Sequence, residues 1–125
     1  MKKAIKTDKA PAPIGPYNQA IMAGNTLFVS GQIPLNPANG ELVKGDVKEQ
    51  TRRVMENLKA ILKEAGLDFA NVVKCSIFIS DMKDFPLINE IYGGYFTETP
   101  PARETVQVAG LPMGVDVEIS CIAIA

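Results

Sequence analysis

The chain contains no histidine. Proton transfer near neutral pH therefore falls to a carboxylate, tyrosine, lysine, cysteine or bound water. Serine–histidine and cysteine–histidine nucleophile pairs are excluded. Cysteine is scarce: Cys75 and Cys121 stand alone, with no CxxC spacing. They complete no zinc site, so a metal centre would have to be all-oxygen, and none is expected. A disulfide framework is not expected either, because 125 residues suffice to hold a fold together by burial. Excess charge is missing as well. Thirteen basic residues face fourteen acidic ones, a net charge of −1, and no overall field draws a polyanion. No apolar run approaches bilayer length, so no membrane partner is expected. Met1-Lys2-Lys3 does not open a signal peptide, since Ala4-Ile5-Lys6-Thr7-Asp8 interrupts any apolar stretch; a cytoplasmic location follows as an expectation.

What is present is an ordinary globular balance, 46% apolar and 22% charged residues, read as one domain over residues 1–125. Lys2, Lys3, Lys6 and Lys9 are expected to form a solvated, mobile terminus. Strands are predicted over Tyr17–Met22 and Thr26–Ser30, joined by a turn at Gly24-Asn25. Asp46, with Glu49 three residues on, predicts a helix start. The stripe Val47, Thr51, Val54, Leu58, Ile61, Leu62 and Ala65 turns one face of that helix to a core, and Gly66 ends it. A strand over Val72–Ser80 is predicted to place Val73, Cys75, Ile77 and Ile79 on one face and Phe78 on the other. A second helix begins near Asp84, tolerating Pro86 in its first turn, with Ile88, Tyr92 and Tyr95 on one side. Strands over Arg103–Val108 and Val115–Ile124 complete an α+β layer: one mixed sheet of about six strands with two helices on one face.

Several strands are apolar on both faces. Val117, Ile119 and Cys121 alternate with Ile122 and Ile124, and Leu27 and Val29 flank Phe28. Two helices cover only one face, so the other predicts an obligate oligomer with sheets turned inward. Alternation sends Arg103, Thr105 and Gln107 to one side of their strand, and Asp116, Glu118 and Ser120 to one side of theirs. If Val106 and Val108 meet the helices, Arg103 and Glu118 share the inter-subunit face. There they form either an ordinary interfacial ion pair or a carboxylate anchor beside an acid/base group. Cys75 and Cys121 fall on the core face, where thiols are inert.

Four segments, Ala12-Pro13-Ile14-Gly15-Pro16-Tyr17, Ser30-Gly31-Gln32-Ile33-Pro34, Pro101-Ala102-Arg103 and Val117-Glu118-Ile119, together resemble the Rid family of RidA-type imine deaminases, from end to end. The resemblance implies a chorismate-mutase-like fold, a homotrimer with clefts between subunits, and hydrolysis of 2-imino acids to 2-keto acids and ammonia without a cofactor. It implies Arg103 as the carboxylate-binding residue and Glu118 as the residue that positions water. Tyr17, Gly31, Asn89 and Thr105 are implied as substrate contacts. Glu104 and Gln107 depart from the pattern: a small residue is expected at the first position and a glutamate at the second. The competing readings are a non-catalytic binder of keto acids or other small carboxylates, and an RNA-cleaving translation inhibitor. For the latter the chain offers no basic patch interleaved with aromatics.

Overall fold

The computed structural model describes residues 1–125. Its long helix, α1 (Val47–Glu64), starts where Asp46 accepts a hydrogen bond from the Glu49 amide. It stops at Gly66, whose φ of +77° suits a residue without a Cβ. The predicted stripe is buried from Val47 to Leu62, and Ala65 packs at its end. The second helix, α2 (Phe85–Gly93), carries a proline in its first turn and buries Ile88 and Tyr92. Tyr95 lies just beyond it, edge-on to Phe69, with its hydroxyl on Glu56.

Six strands form one sheet: β1 (Lys2–Ile5), β2 (Ala20–Ala23), β3 (Thr26–Gln32), β4 (Val72–Ile79), β5 (Ala102–Gln107) and β6 (Val117–Ile124). Their spatial order is β1-β2-β3-β6-β4-β5. All pairs are antiparallel except β4 and β5, whose parallel alignment needs the crossover that α2 supplies. Both helices cover the face that carries Leu27, Val29, Cys75, Ile77, Val117 and Ile119. The other face stays open, with Phe28 48% and Val106 41% exposed. No helix is long and apolar enough to cross a membrane.

Three expectations are corrected. The lysine-rich start is an edge strand, with Lys2 opposite Ala23 and Ile5 buried opposite Ala20; the pull of Ile5 toward the core outweighs the charge of its neighbours. Tyr17, expected to open a strand, lies outside it: β2 begins only at Ala20, and Tyr17 is exposed. In β4 the pairing with β6 shifts between Val72 and Lys74. That irregularity buries Val72 and turns Val73 out to 47% exposure.

The fourth correction governs the site. β5 lies in register with β4 so that Arg103 neighbours Cys75, Thr105 neighbours Ile77 and Gln107 neighbours Ile79. Those partners all point at the helices. Val106 neighbours Phe78, which neighbours Glu118 on the open face. Arg103 and Glu118 therefore do not share a face. The edge strand turns its polar side to α2, because only the short second helix covers it there and that helix offers polar and aromatic partners.

Candidate active site

Glu118 stands at the start of β6, half-buried, beside the irregularity that β3 makes between Val29 and Gln32. Gly31 lies in this irregularity and faces the Glu118 side chain. A Cβ on Gly31 would fall 2.8 Å from the Glu118 carboxyl carbon, so the glycine makes the space in which the carboxylate sits. Burial pushes the Glu118 carboxyl above its ordinary value, and no charged or hydrogen-bonding neighbour contributes to the shift. A cleft of about 580 Å³ opens at this carboxylate, lined by Ile14, Tyr17, Ser30, Gly31, Ile33, Pro112 and Met113. The Tyr17 hydroxyl accepts a hydrogen bond from the Ile14 amide at 3.4 Å. Met113, at the rim, has φ +58°, a left-handed conformation unusual for its side chain. Asp116 does not join Glu118: it accepts hydrogen bonds from Gln50 on α1 and from the Ser80 hydroxyl.

Arg103 forms a second centre on the helix side. Its Nη1 donates to Asn89 Oδ1 at 2.5 Å. Its guanidinium carbon lies 5.3 Å from the centre of the Phe85 ring and 5.2 Å from that of Tyr92. The ion pairs of the chain are Lys48–Glu90, Arg52–Glu49 and Lys74–Glu104. Arg103 is in none of them, so the interfacial ion pair with Glu118 is not formed within the chain. Two residues on, Thr105 Oγ1 is buried without a hydrogen-bond partner, an unfinished polar group of the kind that functional sites carry. Gln107 accepts a hydrogen bond from the Met82 amide, which ties β5 to the turn before α2. Glu104, as expected from alternation, points away from Arg103 and pairs with Lys74 and Ser76 on the open face.

The six candidate residues thus divide into two half-sites. Tyr17, Gly31 and Glu118 line the cleft, whereas Asn89, Arg103 and Thr105 gather under α2. Phe85, Tyr92 and Met113 were not among the candidates. The first two had a legible signal, since Phe85, Asn89 and Tyr92 recur at helical steps of four and three. Met113 had none, because its left-handed backbone is not written in its side chain.

A half-buried unpaired carboxylate in a cleft and an unpaired guanidinium held by one amide are tools for binding and proton transfer on a small acid. Comparison with known proteins gives the class. Residues 7–125 match the family described as Endoribonuclease L-PSP. The chain belongs to this family, the Rid proteins. It is 58% identical to Protein DfrA of Myxococcus xanthus, covering 99% of this chain and 96% of that one. It is 50% identical to the 2-iminobutanoate/2-iminopropanoate deaminase of Mus musculus, covering 99% and 92% respectively. E. coli TdcF, solved with bound serine, superposes with a TM-score of 0.95 at 45% identity, with 98% of each chain covered.

Proposed function

We propose that this protein hydrolyses 2-imino acids, such as 2-iminopropanoate and 2-iminobutanoate, to 2-keto acids and ammonia, in clefts between the subunits of a homotrimer. The observation that carries the reading is the division of the site. An unpaired arginine and a raised-pKa glutamate lie on opposite faces of one sheet, so one ligand meets both only where two copies adjoin. The open apolar face around Phe28 and Val106 supports such association. In this reading Arg103 of one subunit binds the substrate carboxylate, and Glu118 of its neighbour holds the attacking water. An imine carbon is already electrophilic. The work left to the protein is orientation and proton traffic, which needs no histidine. Glu118 takes a proton from water as the carbon–oxygen bond forms and returns it to the nitrogen. The new hydroxyl then gives its proton, through the same carboxylate, to the nitrogen as the carbonyl forms and the carbon–nitrogen bond breaks to release ammonia. Thr105 offers its unpartnered hydroxyl to the ligand, and Tyr17 borders the cleft.

The name of the mouse relative and the serine held by TdcF both favour a small amino-acid-derived carboxylate. The serine also suits a purely binding role, and the endoribonuclease description of the family model favours RNA cleavage. A coupled assay separates these readings. 2-Aminoacrylate is generated from serine with a dehydratase, and residual imine is trapped with semicarbazide. The deaminase reading expects the wild-type protein to lower trapping and Arg103→Ala to leave it unchanged. Keto-acid binding without any effect on trapping identifies a binder. RNA cleavage that survives Arg103→Ala identifies a nuclease.

A further inference from the structure

Phe85, Asn89 and Tyr92 form a stripe along one side of α2, spanning two turns or roughly 10 Å. Arg103 reaches across from the edge strand to that stripe, where its guanidinium lies over both rings and the Asn89 amide oxygen takes one N–H. Tyr92 is only 5% exposed and its buried hydroxyl has no hydrogen-bond partner, so packing of the ring fixes this wall. Phe85 packs against the core from the other end. A carboxylate in either place would fix the arginine equally well but would occupy its N–H fork and cancel its charge. Aromatic rings hold the cation through its charge and leave the in-plane donors free.

We infer that Phe85 and Tyr92 are positioning residues for Arg103: they set the plane of the guanidinium while Asn89 takes one edge, leaving the other edge for the carboxylate of the ligand. The inference rests on the reading of Arg103 as the carboxylate anchor. An arginine on an uncovered edge strand would lose much rotamer freedom on meeting its ligand; one already clamped loses little.

The test reads the clamp with and without ligand. In protein labelled at arginine Nε, the Arg103 Nε–H resonance, assigned by its loss in Arg103→Lys, is expected to be ring-shifted and slow to exchange. Phe85→Leu and Tyr92→Leu should each move it to the position of exposed arginines. They should raise KM for the imino acid and Kd for 2-oxobutanoate about 2- to 30-fold, the range to which such contacts convert. The turnover number should stay within about twofold. Tyr92→Phe, which keeps the ring, should leave all of these as in the wild type. An unchanged resonance and unchanged KM in both leucine variants, or a Tyr92→Phe as impaired as Tyr92→Leu, overturns the inference. Should Tyr92→Leu not fold, Phe85, which is only partly buried, carries the test alone. Failure of the deaminase reading is seen separately, as a wild type that neither hydrolyses imine nor binds 2-oxobutanoate while its resonance stays ring-shifted.

Discussion

Arg103 and Glu118 lie on opposite faces of the same sheet, one beside Cys75 under the helices and the other beside Phe78 on the open side. Two inactive variants should therefore complement each other. Arg103→Ala and Glu118→Ala, unfolded together in equal amounts and refolded, should regain about a quarter of wild-type activity, because one junction in four pairs an intact arginine with an intact glutamate. Activity that never recovers on mixing would mean that both groups serve one chain.

Arg103→Ala alone should lower kcat/KM about 30- to 1000-fold, as loss of roughly 2–4 kcal/mol of charge-assisted binding requires. Arg103→Lys should recover little of it, since an ammonium lacks the planar fork. Steady-state kinetics on trapped imine decides between these and a bystander role, in which both variants behave as the wild type.

Glu118 links catalysis to stability. Burial raises its carboxyl above the ordinary 4.5, so the folded state holds the proton more tightly than the unfolded chain. The contribution of the group to stability is then fullest below pH 4.5 and is lost as pH rises through the elevated value. Glu118→Gln has no charge to desolvate. Its thermal midpoint should exceed that of the wild type at neutral pH and converge with it in acid, while turnover drops and 2-oxobutanoate binding persists. Parallel melting curves over the pH range settle the sign.

Gly31→Ala places a methyl against the Glu118 side chain, which is flexible enough to swing aside. The backbone at Gly31 is not left-handed, so stability should change little. Turnover should fall at least about tenfold, because a shift of an ångström in a catalytic group is costly. A Gly31→Ala enzyme of full activity would remove Glu118 from the reaction centre.

Asn57 is fully buried on α1, and its Nδ2 donates to the carbonyls of Ile33 and Leu35, just beyond Gly31. Asn57→Ala should cost about 1–3 kcal/mol in urea unfolding through the carbonyls left unpaired, and should loosen the cleft wall at Ile33. An unaffected midpoint would show that the segment is held by other contacts.

How much of this was legible depended on how local the signal was. The stripe of α1, its Asp46 start and its Gly66 stop lie within a few residues of one another and were read correctly, as was the Gly24-Asn25 hairpin. The face that Arg103 occupies depends on how β5 aligns with β4 across the whole α2 crossover, and a shift of one residue reverses every side chain. Alternation within β5 correctly grouped Arg103 with Thr105 and Gln107, and separated Glu104. It did not say which group met the helices, and the assumption that the valines would do so failed on an edge strand. β1 was missed because a four-residue strand holding two lysines has the composition of a tail.

Those two lysines bear on what happens when many copies meet. Lys2 and Lys3 ride outward on the outermost strand, where unpaired backbone groups would otherwise recruit another strand. Like charges meeting there repel, so growth in that direction stalls. An apolar open face and a repellent edge would steer any association of copies toward face-to-face contact and away from strand-on-strand growth.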